Sequence, residues 1–336
     1  MDIKRLNLRS VAIFVCLTAT VIFASCKKET PDLNGTVTIS PTANVFTGTE
    51  LTAAYSGSEK ITWQWNKSGT AIGGATNDKY TPTEAGSYTV TANAAGYNDK
   101  TSAAVEVKAI FLLEEKQRDG FRYVYEYDNQ DRITKRTLYS VANEQLLFVY
   151  TYKYNAAGDL VEWVIEDPNR PTTPENRKIT FTKSGDKITW SNYDTQYEVE
   201  LNTIGLHAKC TWIYNRGGND FEKETRKFTW QNGNLTQMDG IEEWKVGGEE
   251  GSEEWTETFT YDGRMSPFYH CKTPKWYLYI YEERYLSSVN NVKIMSWSWG
   301  IGSETYEYEY LNADGFPEKR TRVGSTNTET YKYKKK

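Results

Sequence analysis

The sequence predicts an all-β fold: a small β-sandwich followed by a large antiparallel β-meander, a curved sheet or barrel-like body built of hairpin repeats. Three observations carry this. Aromatic residues fall on every second position, as in Phe148-Val-Tyr150-Thr-Tyr152-Lys-Tyr154, which places them on one face of an extended strand. Turn markers recur at a nearly fixed interval. Hydrophobicity is carried by 25 Tyr, 11 Trp and 12 Phe with only 9 Pro, a composition suited to pleated, half-buried surfaces. Sustained helical spacing is found nowhere.

The N-terminus reads as an address. Lys4, Arg5 and Arg9 precede an apolar run from Val11 to Phe23, followed by Ala24-Ser25-Cys26. A basic region, a short apolar region and small residues before a cleavage point describe an export signal and not a membrane-spanning helix. The Ala-Ser-Cys ending resembles the lipobox of bacterial lipoproteins, which implies cleavage before Cys26 and acylation of that residue. Acyl chains anchor stably because each buried methylene adds about 0.8 kcal/mol. Lys27 and Lys28 point to the outer membrane as the destination. Lys27-Lys-Glu-Thr-Pro-Asp32 matches poorly the acidic surface-export tag of similar gut-commensal lipoproteins, so both faces of that membrane stay open. Residues 1–26 are then the signal peptide and 27–35 a tether.

Residues 36–108 read as closely spaced strands: Thr36 to Ile39, Glu50 to Tyr55, Lys60 to Asn66, Ser87 to Ala92 and Ala103 to Val107. Ile61-Thr-Trp63-Gln-Trp65 resembles the third strand of an immunoglobulin-like domain, with Trp65 as its core tryptophan. Glu84-Ala-Gly-Ser-Tyr88 resembles the tyrosine corner. The cysteine pair of that family is missing, with Val90 at the second position, so Trp65 is expected to pack on Leu51, Ala53 and Val90. The resemblance implies a spacer or a binding module.

Residues 109–336 form the body. Asp131, Gly158, Gly185, Gly205, Gly233, Gly263 and Gly315 are 27, 27, 20, 28, 30 and 52 residues apart. A unit of about 27 residues is two strands and two turns, and the long last gap reads as two units, giving about fourteen strands. Trp276-Tyr-Leu-Tyr-Ile-Tyr281 is apolar on both faces and is expected to be a strand covered twice. Tyr125-Glu-Tyr-Asp128, Tyr152-Lys-Tyr-Asn155 and Tyr308-Glu-Tyr310 with Asp314-Gly315 resemble the YD repeats of RHS-type proteins. They are also similar to an uncharacterised domain of gut-commensal lipoproteins described as a porin-like β-meander. A membrane barrel turns an apolar band towards lipid. Here the face opposite the aromatics reads Arg, Glu, Lys, Thr and Ser, so a water-exposed sheet or barrel is expected, tethered by the Cys26 lipid.

The formal net charge is −5, and removal of Met1 to Cys26 leaves 37 bases against 44 acids, or −7. Such a surface lacks the basic footprint of nucleic-acid binding. His207 with Cys210 and His270 with Cys271 offer zinc-ligand types. Four strand positions at about 4.8 Å each put the two cysteines near 19 Å apart, too far for a disulfide, and two buried thiols are the preferred reading. Glu242-Glu243 and Glu249 to Glu254 around Gly247-Gly248 read as a solvated acidic hairpin. No metal or cofactor is assigned, and no catalytic signature is present.

The aromatic rows remain. Sealed, they are the core; open in a groove, they would stack on sugars or hold an acyl chain, with Tyr123, Tyr125, Tyr150, Tyr152, Trp297 and Trp299 as the ligand-binding candidates. The expected function is a non-enzymatic, lipid-anchored envelope protein presenting a surface to a glycan, a host molecule or an outer-membrane partner. A carrier of an apolar ligand and a glycan-active enzyme with paired carboxylates are the alternatives.

Overall fold

The computed structural model describes residues 29–170, 177–282, 287–300, 302–311 and 315–336. Cys26 and the stretch before it lie outside the described residues, as does Asp314 of the last repeat motif. Two compact units are present, one from segments 29–41, 51–80 and 87–105, the other from 42–50, 81–86 and 106–336.

In the first unit β1 (Val37–Ser40), β2 (Leu51–Tyr55) and a short β5 (Lys79–Tyr80) pair antiparallel. Strands β3 (Thr62–Lys67), β4 (Thr70–Ala71), β6 (Gly86–Asn93) and β7 (Lys100–Thr101) make the facing sheet, with β8 (Val105–Val107) paired to β6. Trp65 is fully buried and stacks on Tyr80 at 5.6 Å, and its Nε1 donates to Asn77 O at 2.9 Å. Leu51, Ala53 and Val90, its expected apolar surroundings, are buried too.

The second unit is a closed antiparallel barrel. Its strands are β9 (Phe111–Arg118), β10 (Phe121–Tyr127), β11 (Ile133–Ser140), β12 (Leu146–Tyr154), β13 (Leu160–Glu166), β14 (Arg177–Thr180), β15 (Thr182–Ser184), β16 (Lys187–Asn192) and β17 (Thr195–Leu201). They continue with β18 (His207–Gly217), β19 (Asp220–Gln231), β20 (Asn234–Val246), β21 (Glu249–Met265), β22 (Asn290–Trp297), β23 (Gly302–Tyr310), β24 (Pro317–Arg322) and β25 (Thr328–Lys335). Seventeen segments cannot alternate direction around a ring. The ring closes because β14 and β15 are halves of one strand broken at Phe181, whose N–H still donates to Val161 O on β13 at 2.9 Å. That leaves sixteen strands, against the fourteen the repeat spacing predicts. Closure pairs β25 with β9, with Thr330 opposite Gln117 and Tyr331 opposite Lys116.

The period-two pattern sorts the two faces. Inward rows run across registers such as Tyr125–Arg136–Tyr150 and Tyr152–Trp163–Ile179. Outward positions carry cross-strand ion pairs: Lys153–Glu162 at 2.5 Å, Lys135–Glu126 at 2.8 Å, Lys187–Glu198 at 3.1 Å and Lys319–Glu309 at 2.8 Å. A hydrocarbon phase has no counter-solvation for such a lattice, so the exterior polarity is the reverse of a membrane barrel's.

A ring of sixteen strands is too wide for side chains alone to fill. The chain fills it with itself. Between β21 and β22 it crosses the end of the barrel that carries the Asp131 and Gly233 turns, with Lys272 N–H donating to Asp131 O at 2.9 Å and Ile133 N–H to Thr273 Oγ1 at 2.8 Å. It then enters the lumen as α1 (Lys275–Tyr277), which runs into a π-helical turn, Leu278–Glu282. The double-covered strand expected over Trp276 to Tyr281 is therefore a helical plug. An apolar run of this length fits either a buried strand or a buried helix, and the lumen decides. The 52-residue gap likewise holds one strand pair and the plug, not two repeat units.

Candidate functional site

The plug divides the lumen. At its level Trp276 packs on Phe181 (5.2 Å) and Trp190 (5.5 Å), Tyr277 on Tyr152 (5.4 Å), and Tyr279 on Phe228 (4.8 Å) and His207 (4.5 Å). Trp276, Tyr277, Leu278 and Tyr279 are all buried. Charge is buried there as well: Arg136 lies 4.0 Å over the Tyr150 ring and bonds Glu282 of the plug at 2.6 Å, and the Tyr125 hydroxyl donates to the same carboxylate at 2.8 Å. Burial drives the Tyr125 phenol well above its usual pKa, with the Glu282 charge adding to the effect. Charge-assisted bonds of this kind are strong in a low-dielectric interior.

Four of the candidate tyrosines thus belong to the sealed half. Tyr125 and Tyr152 are 3% and 4% exposed and touch the plug, while Tyr123 and Tyr150 are half-buried beside Arg136. Trp297 and Trp299 stand apart, stacked on each other at 5.6 Å, with Trp299 52% exposed. Cys210 and Cys271 are free and buried; burial raises both thiols, Cys210 to about 12. His270 and Cys271 belong to the crossing before the plug rather than to a strand. His270 Nδ1 lies 3.1 Å from the Phe111 backbone.

The other end of the barrel, bearing the Gly217-Gly218 and Gly247-Gly248 turns, is a mouth. Its wall follows from the register. Above Met238, which accepts the Tyr279 hydroxyl at 2.7 Å, the inward positions of β20 are Gly240, Glu242 and Trp244. One row across the wall reads Tyr214–Glu222–Trp244–Gly251, the next Trp212–Glu224–Glu242–Glu253, and the next Cys210–Arg226–Gly240–Trp255. Arg226 forms the floor: it bonds Glu224 at 2.5 Å and the Tyr279 hydroxyl at 3.1 Å, beneath the Trp212 ring at 4.3 Å.

Three indoles of this wall pack closely against a glycine of the neighbouring strand. Trp255 covers Gly240, Trp244 covers Gly251 and Trp297 covers Gly302, and a Cβ at any of these glycines would collide with the ring. Trp255 is buried, whereas Trp244 and Tyr214 are each 37% exposed. They border a cavity of about 410 Å³ with Tyr197, Trp212, Glu222 and Glu242. A second mouth cavity of about 340 Å³ is lined by Met295, Glu304, Tyr306, Arg320, Arg322 and Glu329. Its charges are paired: Arg320 with Glu329 at 2.6 Å and Arg322 with Glu304 at 2.8 Å.

Sequence reading missed Trp212, Tyr214 and Trp244. The signal was present in the strand glycines Gly240, Gly251 and Gly302, which mark places where something approaches the backbone closely. Pairing each with its tryptophan needs the register, which the sequence alone does not supply.

No family model matches this chain, and no curated protein does. Among solved structures, it is similar to a porin-like protein from Bacteroides uniformis, at 15% identity over 66% of this chain and 98% of that one, with a TM-score of 0.31. A porin-like protein from Bacteroides vulgatus is similar at 10% identity over 61% and 99% of the two chains, also with a TM-score of 0.31. The TcdB2-TccC3 structure without its hypervariable C-terminal region is similar at 11% identity over 84% of this chain and 16% of that one, with a TM-score of 0.27.

Proposed function

We propose that this protein is a non-catalytic, lipid-anchored glycan-binding barrel of the bacterial outer membrane. The observation that carries the binding part is the exposed indole of Trp244, packed against Gly251 and lining one cavity with Tyr214, Glu222 and Glu242. Sugar rings present C–H faces that settle on an indole face, and their hydroxyls take carboxylates as acceptors. The anchoring part rests on Lys4 to Cys26. The plug argues against the carrier alternative, because an acyl chain would have to displace Trp276, Tyr277 and Leu278 from the lumen.

The test is a glycan array with the mature chain, followed by titration of the strongest hit with tryptophan emission as readout. Trp244→Ala is expected to weaken binding about tenfold, equivalent to about 1.4 kcal/mol. An array without any hit, or a Trp244→Ala variant that binds as the wild type does, would remove the proposal.

A further inference from the structure

We infer that the rim end of β21 takes an extended, basic peptide segment of a protein partner as an added strand; the inference stands apart from the glycan reading. Closure removes edges from the ring itself, but the ring does not use all of β21. Pairing with β22 begins at Glu257–Trp297, and one further bond, from Ser298 N–H to Thr256 O at 2.9 Å, ends that ladder. On its other side β21 stays paired with β20 as far as Val246–Glu249. Glu249 to Trp255 therefore overhang the ring as an edge, and among the described residues no strand pairs with them on the β22 side. Backbone groups of an antiparallel strand alternate between its two neighbours. Thr256 faces the β22 side, so Glu254, Ser252 and Glu250 turn their N–H and C=O groups the same way, at intervals of about 6.8 Å. All three residues are exposed.

An open edge is a template for an extended chain, whose main-chain bonds give affinity while side chains choose the partner. Glu249, Glu250, Glu253 and Glu254 line this one, and among the described residues only Glu250 has an ion pair, with Lys245 at 3.3 Å. Like charges opposite one another oppose pairing. A second copy of the same edge is therefore repelled, and a strand bearing lysine or arginine is attracted. The inward face adds an aromatic anchor. Gly251 has no side chain, and the Trp244 indole reaches over it from β20 while staying 37% exposed. A side chain arriving opposite Gly251 on that face meets the indole, where an arginine gains a cation–π contact. Its neighbours two positions to either side share the face and stand opposite Glu249 and Glu253.

Calorimetric titration of the mature chain with the heptapeptide Thr-Lys-Val-Arg-Val-Lys-Thr, and with its counterpart carrying glutamate at the three basic positions, tests this. The basic peptide is expected to bind at least tenfold tighter than the acidic one. Ser252→Pro deletes the middle N–H of the edge and spares the β20 ladder, because that N–H faces away from β20. It is expected to weaken the basic peptide at least tenfold at an unchanged urea midpoint, whereas Ser252→Ala, which keeps the N–H, binds as the wild type does. No binding of the basic peptide overturns the inference. So does wild-type affinity in Ser252→Pro, which would mean attraction by charge alone, and so does an equal loss in Ser252→Ala. Equal affinity for the two peptides overturns the basic assignment. Each of these failures leaves the glycan reading standing, since that reading does not use the backbone edge of β21.

Discussion

His207 shows how far single residues were legible. The sequence marked it as a zinc-ligand type beside Cys210; the barrel makes it a ring in an aromatic box. It meets Phe228 at 4.4 Å, Trp230 at 4.7 Å and Tyr279 at 4.5 Å, and among the described residues neither ring nitrogen has a hydrogen-bond partner. Burial alone lowers its pKa to about 3. The unfolded chain takes up this proton near the ordinary value of about 6.5. Above that pH the group costs nothing; as pH falls from there towards 3, the unfolded state binds a proton the folded state refuses, and stability drops by up to about 1.4 kcal/mol per pH unit. Protonation of native carboxylates such as Glu115 and Asp128, both held below their ordinary values, sets in only at lower pH. His207→Phe keeps a ring in the box and is expected to flatten the decline in urea-unfolding free energy between pH 6.5 and 5. Parallel declines in the two proteins would refute this account. Two of the six ligand-binding candidates, Tyr125 and Tyr152, were legible as inward positions, but what they face is set by a segment more than a hundred residues away.

At the scale of elements, the alternation of aromatics located the strands and chose their inner faces, and the turn markers from Asp131 to Gly315 all adopt positive φ in the structure. Two things escaped it. Lys116, Arg136, Arg226 and Arg320 fall on inward faces, where a row reading of rings against charges places only rings; each is accommodated by lying over a tyrosine or tryptophan. The plug escaped because its helix has no amphipathic period to betray it: a helix enclosed on all sides is apolar all round. Its packing makes it a stabilising element. Trp276 is 2% exposed between Phe181 and Trp190, and Trp276→Ala is expected to cost about 3 to 5 kcal/mol, the usual range for a large aromatic removed from a filled core. Trp299→Ala, at a half-exposed indole of the rim, is expected to change stability by less than about 0.5 kcal/mol. Denaturant midpoints of the two variants check the contrast, and similar losses in both would show that the plug does not hold the lumen.

For the whole molecule, closure decides what the aromatic rows mean, and closure was not written locally. The pairing of β25 with β9 joins residues more than two hundred positions apart, a contact no repeat or turn motif encodes; only the burial of the inward face demands it, by leaving no edge strand exposed. Once closed, the barrel turns its rings inward and its Lys–Glu ladders outward, so attachment to a membrane falls to the lipid proposed at Cys26 rather than to the barrel wall. Two acyl signals or more give stable anchoring, whereas a charged wall gives none. In a flotation experiment with phospholipid vesicles, the chain expressed with its signal and acylated is expected to float. Cys26→Ser, or the chain from residue 27 onward made without lipid, is expected to stay in the dense fraction at every lipid concentration. Flotation of the unlipidated chain would mean that the barrel wall itself partitions into the bilayer, which the outward ion pairs at Lys153–Glu162 and Lys135–Glu126 forbid as long as the inward and outward faces are as the register assigns them.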